Sequence, residues 1–478
     1  MIGSISRQAS LFYFAFAKEV LAITDDVLDP LDSLLQDPAL VQLAAQALAK
    51  RRTRSADFGR PSIAPDRLLR CLVLKHLKGW SFRQLQRELR VSLLYRRFSR
   101  FYEDPIPNFT SFSRTFGLFG KEQTAQVHAR VVQLAKEQGV AKGAKLRTDT
   151  TAVETNIHYP TDSSLLADGL RVLTRSLKRI AAACTAGRLA VVDHRRAAKR
   201  RVLEICRAAK TRTAAGQQRL QAAYGKLLKL TGKVVKQSSR VLADLKESKL
   251  IAQSDQRFKA LAAEARLRHY LPLTQKVVAQ TQARIFQGQT DYPNKILSLF
   301  EAHTVVIRKG KAHKPNEFGR LVRLDEVEKG IVSHYSVALT NQADQQQWKP
   351  ALEQHVAIFG RAPYLAAGDR GFWSAGNEKL AEELGVKRTV LPGRGRLSKS
   401  RAARQKQRWF RRGQGWRANG EGRISTLKHG FGMERAFYKG DVGFERYVGC
   451  CVLTQNLAAI VRAKAAQTNK SKSLCRSG

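Results

Sequence analysis

The chain is 478 residues long and 43% hydrophobic, apolar enough for two or three domains with cores of their own, which excludes a disordered tail. Lys and Arg number 85 against 39 Asp and Glu, giving a formal charge of +46 and an isoelectric point near 10.7, a balance that calls for a polyanionic partner such as phosphate backbone. No segment approaches roughly 18 uninterrupted apolar residues, so no membrane span and no membrane partner is expected.

Met1 to Ala17 places one Arg before the short apolar run Leu11 to Ala17, too short for the core of a signal peptide, and reads as an amphipathic first helix of a soluble, intracellular protein. The six cysteines (Cys71, Cys184, Cys206, Cys450, Cys451, Cys475) show no CxxC pairing and no His at zinc-ligand spacing; they read as reduced, mostly buried thiols. From about Asp25 to Gln138 apolar residues recur at three- and four-residue spacing, a helical pattern. Gly79-Trp80-Ser81 ends one helix, and Ser81 caps the next, Phe82 to Leu89. A second short basic helix around Ser92 to Phe101 carries Tyr95, Arg96, Arg97 and Arg100. The pair is either a helix-turn-helix that presents Arg96, Arg97 and Arg100 to DNA or a plain bundle with a solvated basic face.

At Leu146 to Val153 the β-branched run Thr148, Thr150, Thr151, Val153 reads as a strand. A basic helical stretch follows from about Leu165 to Ile285, in which Leu220, Leu227, Val234 and Val241 repeat every seven residues with Tyr224 and Leu245 at the companion spacing. Thr231 and Ser238 interrupt that pattern, so intramolecular packing is expected rather than an oligomerising zipper. Strand signals return at Ala302 to Ile307, Arg320 to Leu324, Ile331 to Leu339, Tyr364 to Ala367 and Arg388 to Leu391, with a helix from Ser374 to Leu384. This pattern predicts an α/β core interrupted by an all-helical insertion and preceded by an all-α N-terminal domain. The expected divisions are 1–140, 141–164 with 291–465 for the core, 165–290 for the insertion, and a basic flexible tail over 466–478. Gly393 to Gly413 holds nine Lys or Arg, Arg394 and Arg396 among them, and no acid; it reads as a loop or helix lying against phosphates, or else as a mobile solvated loop.

Three acids stand out: Asp149 within a strand, Asp369 just beyond the end of another, and Glu421 in the segment Trp416 to Phe431. Cutting a phosphodiester requires an activated water and a stabilised leaving oxygen, a task for two divalent cations held by carboxylates. Taken singly, each acid in so basic a chain serves equally well in a salt bridge. Glu154, Asp162 and Asp168 are competitors close to Asp149; Glu301, His303 and Glu317 are supporting candidates or ordinary structural groups. Trp373, Trp409 and Trp416 read as core residues, with stacking on unpaired bases as the alternative. If the third segment is helical, Arg417, Glu421 and Lys428 fall on one face, although Gly420 and Gly422 place its start as late as Glu421.

The spacing Arg417, three residues, Glu421, six residues, Lys428 resembles the signature around the catalytic Glu of DDE insertion-sequence transposases; Gln414 stands where the full signature has Tyr. The resemblance takes in Arg147-Thr-Asp149 through Asp162, Ala367-Gly-Asp369-Arg-Gly-Phe372, Leu299-Phe-Glu301, Asn316 to Gly319, and Asn341 with Asp344, and is similar to ISNCY-type and neighbouring families over roughly residues 60 to 460. It implies an RNase H-like core, and Asp149, Asp369 and Glu421 as catalytic ligands of two Mg²⁺ or Mn²⁺ ions. It also implies Arg417 and Lys428 as DNA contacts, with double-stranded DNA, both terminal inverted repeats and target, as the partner. A dimer in the synaptic complex and a place on the nucleoid in the bacterial cytoplasm follow from the same likeness. A basic DNA-binding protein without catalysis, or an RNase H-like nuclease without strand transfer, is the alternative that charge alone permits.

Overall fold

A computed structural model of the chain describes residues 3, 24–51, 61–184, 189–211, 213–247, 256–308 and 315–476. The expected first helix within Met1 to Ala17, and the side chain of Cys475, lie outside what is described. The chain forms two compact units, one of residues 1–156 with 305–478 and the other of residues 157–304.

The first unit opens with helices α1 (Leu28–Leu34), α2 (Pro38–Ala49), α3 (Pro65–Leu77), α4 (Phe82–Val91), α5 (Leu93–Phe98), α6 (Phe109–Phe116) and α7 (Lys121–Glu137). Ser81 does cap α4: its hydroxyl accepts from the Gln84 N–H while the Gln84 side chain accepts from the Ser81 N–H. Ser92 alone separates α4 from α5 and caps the latter through the Tyr95 N–H. The apolar faces of these helices, including Leu68, Leu72, Leu85, Phe112 and Val131, share one core with Cys450, Leu453 and Leu457 from the last helix. The N-terminal helices and the end of the chain therefore belong to one unit, and the backbone is helical through residues 466–476, where the sequence reads as a flexible tail.

Strand β1 (Lys145–Thr155) stands centrally in a mixed sheet. On one side it pairs antiparallel with β3 (Asn316–Glu326), which in turn pairs antiparallel with β2 (Val305–Arg308) and β4 (Val332–Val337). On the other side it pairs parallel with β5 (Leu365–Ala367), followed by parallel β6 (Arg388–Val390); the two-residue β7 (Arg435–Ala436) joins the far end of β1. Helices α12 (Asp344–Phe359), α13 (Ala375–Glu383), α14 (Lys399–Lys406), α15 (Arg408–Ser425) and α16 (Asp441–Arg476) complete the unit.

Helix α15 starts thirteen residues before Glu421, where the sequence places its latest start, and runs through four glycines. Two of them are contact points. A Cβ at Gly413 would stand 2.6 Å from Val390 Cγ2, and one at Gly420 would stand 3.1 Å from Arg147 Nε, so these glycines let the helix lie close on β6 and β1. After Ser425 the chain widens into a π turn, Thr426–Gly430, which carries Lys428 out of the α register that would align it with Arg417 and Glu421.

The second unit is helical: α8 (Asp162–Ala183), α9 (Arg195–Ala208), α10 (Ala214–Lys246) and α11 (Arg257–Phe286). Leu220, Leu227, Val234 and Val241 of α10 pack against Leu166, Leu173, Leu177, Leu267 and Val277, so the heptad pattern serves packing within the chain. Thr231 and Ser238 are buried in that seam because each hydroxyl donates to the carbonyl four residues earlier, Leu227 O at 3.0 Å and Val234 O at 2.8 Å. Of the described cysteines four are buried, in line with the reading of mostly buried thiols, and Cys206 is exposed on α9.

Candidate active site

The register of the parallel strands builds the site. Lys145 pairs with Leu365, Leu146 with Ala366 and Arg147 with Ala367; two residues further along each chain, on the same face, stand Asp149 and Asp369. Neighbouring strands lie about 4.8 Å apart, so two carboxylates from positions 220 residues apart face one another where β5 ends. Burial, and next the charge of Asp369, push the Asp149 carboxyl up to about 6; Arg417 opposes the rise and Asp344 adds to it. The Asp149 Oδ1 accepts from the Thr150 N–H at 2.8 Å, and Asp369 Oδ1 accepts from the Gly371 N–H at 2.6 Å in the tight turn Arg370–Phe372.

Asp344, at the first turn of α12, is the acid whose place the sequence does not reveal. The Thr150 hydroxyl donates to its Oδ1 at 2.8 Å. A Cβ on residue 371 would collide with both Asp344 Oδ2 and Asp369 Oδ1, so the absence of a side chain at Gly371 lets the two carboxylates approach the same point. Asp149, Thr150, Asp344, Asp369 and Arg394 line one open cavity of about 980 Å³. Asn341 and Asp344 stand in the motif set quoted above, which is the signal that marks them; their meeting with Thr150 is a tertiary fact.

Glu421 reaches the site through a cation. One nitrogen, Arg417 Nη2, lies 3.9 Å from Asp149 Oδ2 and 3.6 Å from Glu421 Oε1, and the Glu421 side chain is 72% exposed. The helix is held in place by Arg147, whose Nη1 donates to Trp416 O at 2.5 Å while Nη2 and Nε grip Glu326 at 2.5 and 3.1 Å. Among the described residues no three Asp, Glu, His or Cys side chains are gathered tightly enough to enclose a metal ion as they stand. The donor set is nevertheless of one chemical kind, carboxylate oxygens, the preference of hard divalent cations.

The other expected acids are engaged elsewhere. Glu154 pairs with Arg435 at 2.6 Å, Asp162 with Arg284 at 2.7 Å, and Asp168 with Arg171 at 2.6 Å and His158 at 2.8 Å. Glu301 and His303 lie 3.7 Å apart in the helical unit. The basic residues of α5 and of the turn after it face inward to a large degree: Arg96 donates to Tyr102 O and Asp104 O, Arg97 pairs with Asp29 at 2.5 Å, and buried Arg100 meets Asp32 and Asp66 at 3.3 and 3.7 Å. Arg394 donates to Arg370 O at 2.8 Å, and Arg396 is exposed. Trp409 and Trp416 are half-buried, lining a second cavity of about 610 Å³ with Tyr364, Arg388 and Arg412; Trp373 carries Arg401 over its ring at 4.6 Å.

The first unit thus joins a mostly helical N-terminal part to a mixed sheet, with two carboxylates at the end of its parallel strands. Residues 17–117, which include the N-terminal helices, match the family model described as Transposase domain (DUF772). No curated protein and no solved structure matches the chain. No described helix is long and apolar enough to cross a membrane.

Proposed function

We propose that the chain is an insertion-sequence transposase that binds the terminal inverted repeats of its element, cuts a strand at each end and joins the freed 3′-hydroxyl to target DNA. Asp149, Asp369 and Glu421 are the catalytic carboxylates, set on an RNase H-like core with the helical unit as its insertion. The observation that carries this reading is the level placement of Asp149 and Asp369 at the end of paired parallel strands, with Arg417 reaching from Asp149 to Glu421. It is supported by the transposase-family match of the preceding helices.

In this reading Asp149, Asp369 and Glu421 hold two Mg²⁺ or Mn²⁺ ions, which supply an activated oxygen nucleophile and stabilise the leaving oxygen. Asp149 fits that task because burial and the neighbouring Asp369 carboxylate raise the cost of ionising it, a cost that a bound cation would relieve, and Asp369 lines the same cavity. Glu421 is exposed and tied by one contact to Arg417, so a side-chain rotation suffices to turn it toward them. Arg417, beside Asp149, and Arg394, which lines the cavity, hold the phosphate oxygens and orient the scissile bond; Arg396 and Lys428 are further DNA contacts. Two element ends are held together, so the active assembly on DNA is a dimer, working on the nucleoid in the bacterial cytoplasm.

The test uses duplexes carrying the sequences that bracket the gene, a supercoiled target and Mg²⁺. Wild-type protein yields end cleavage and joined product; Asp149→Asn, Asp369→Asn and Glu421→Gln yield neither while still binding the ends. Undiminished cleavage by Asp149→Asn overturns the assignment, and cleavage without any joined product replaces it with a nuclease.

A further inference from the structure

The surface of α10 opposite its buried seam carries a single row of positive charge. Arg219, Lys226, Lys229, Lys233, Lys236 and Arg240 are all exposed, and their spacing by threes, fours and one seven keeps them within about 100° of arc on one helix face. Between Arg219 and Arg240 the sequence contains no acid. The row is about 31 Å long at 1.5 Å per residue, close to one turn of duplex DNA at about 34 Å.

Such a row is unfavourable on its own. Like charges three and four residues apart destabilise a helix by about 0.2–0.5 kcal/mol per pair. Some cations of the same unit are matched with acids, Lys178 and Arg195 with Asp193, Arg201 with Glu204 and Arg268 with Glu264, whereas the row on α10 is aligned along one face with few such partners. Within the row Lys226 pairs with Glu204 at 3.5 Å and Arg240 with Asp244 at 4.0 Å; among the described residues no acid lies within 4 Å of Lys229, Lys233 or Lys236.

A second, independent feature runs beside the row. Gly225 and Gly232 sit one heptad apart on its flank in the middle of a 33-residue helix. Glycine there costs about 1 kcal/mol relative to alanine, and among the described residues no heavy atom beyond the adjoining residues and the helix's own backbone stands within 4 Å of the place a Cβ would take at either position. Packing within the chain therefore does not require these glycines. They leave the flank of the row open to close approach from outside.

We infer that the exposed face of α10 is a rail for the phosphate backbone of duplex DNA, binding without regard to sequence, with the lysines on the phosphates and the two glycines letting a strand lie close to the helix. The inference rests on the transposase reading for its partner. The rail holds DNA beyond the bases that the ends specify, flanking or target duplex, since lysines along one helix face read charge rather than base edges.

The experiment measures binding of the full chain to a 30-base-pair duplex of unrelated sequence by fluorescence anisotropy from 50 to 300 mM salt. Lys229→Ala with Lys233→Ala and Lys236→Ala lowers the slope of log affinity against log salt by about 2.7, at about 0.9 per lost phosphate contact. Removing equal charge from α11, with Arg257→Ala, Lys259→Ala and Arg266→Ala, changes the slope by less than 1. Gly225→Leu with Gly232→Leu, which alters bulk and not charge, weakens binding several-fold while raising the melting temperature. Equal slopes for the α10 and α11 variants overturn the rail, as does a single-stranded RNA of the same length that competes as well as the duplex. End cleavage by Asp149→Asn tests the catalytic reading and the salt slope of the α10 variants tests the rail, so loss of the one and loss of the other are separate results.

Discussion

The Asp149→Asn substitution is expected to stabilise the fold that it inactivates. Asp149 has only a quarter of its side chain exposed, and its carboxyl is raised from an ordinary 3.8 to about 6 by burial and then by Asp369. The folded chain therefore holds this proton more tightly than the unfolded chain does. Below about pH 4 the group is protonated in both states and contributes nothing. As pH rises from about 4 to about 6 the unfolded chain ionises first, so stability falls, and above 6 the full cost of the buried charge remains, about 3 kcal/mol at 1.36 kcal/mol per pH unit. Asn keeps the Oδ1 that accepts from the Thr150 N–H and gives up only a 3.9 Å contact to Arg417. Urea unfolding followed by tryptophan fluorescence suits the measurement, because Trp80, Trp348, Trp373, Trp409 and Trp416 all lie in the unit that contains Asp149. In buffer with a chelator, wild-type stability declines between pH 4 and 6, the variant lacks that decline, and at pH 7 it is the more stable by about 1–3 kcal/mol. A variant less stable at pH 7, or a difference that does not change with pH, refutes the reasoning.

Millimolar Mg²⁺ raises the urea midpoint of the wild-type chain at pH 8 and leaves that of Asp149→Asn unchanged; an equal shift in both denies Asp149 a part in holding the ion. Gly420→Ala destabilises by about 1–2 kcal/mol, because the new Cβ presses on an Arg147 already fastened to Glu326 and Trp416 O, whereas Gly422→Ala, with nothing within 4 Å, stabilises by about 0.5–1 kcal/mol in the same denaturation assay. Gly413→Ala, against Val390 Cγ2, costs about 1–3 kcal/mol. Arg100→Ala leaves Asp32 and Asp66 near Arg70 with one cation fewer and costs about 3–5 kcal/mol, so it weakens DNA binding only where the fold is lost; loss of binding by a protein with wild-type stability assigns Arg100 a DNA contact instead.

Long regular patterns were the legible part of the sequence. The β-branched run from Thr148 to Val153 gives the central strand, and the heptads from Leu220 to Val241 give α10, because each is a local periodicity that packing then uses. Helix α15 resisted reading for a physical reason: Gly413, Gly415, Gly420 and Gly422 all lower helix propensity, and only the facing Val390 and Arg147 show why two of them are there. The basic cluster of α5 misleads in the opposite sense. Asp29 and Asp32 lie 68 positions before Arg97 and Arg100, and no local pattern reports a pairing at that distance. β7, two residues long, has no periodicity to detect, and Asp344 becomes a neighbour of Thr150 across 194 positions only once α12 is folded onto the sheet.

Arg147 connects the fold to the site. It lies two residues before Asp149 on the same face of β1, and its guanidinium is held by Glu326 of the neighbouring strand. With its remaining nitrogen it fastens Trp416 O, and the next residue along α15 is Arg417. A strand position and a helix position are thus locked two residues and one residue away from the groups that meet as Asp149 and Arg417. Because the lock is made of a buried charge pair and a backbone carbonyl, any shift of α15 along β1 leaves a guanidinium nitrogen of buried Arg147 without its acceptor. The placement of Glu421, one helical turn beyond Arg417, is set by the same bond. An exposed carboxylate whose position is fixed from beneath by a buried arginine is free to rotate without being free to drift, which is what a residue joining a site through its side chain alone requires.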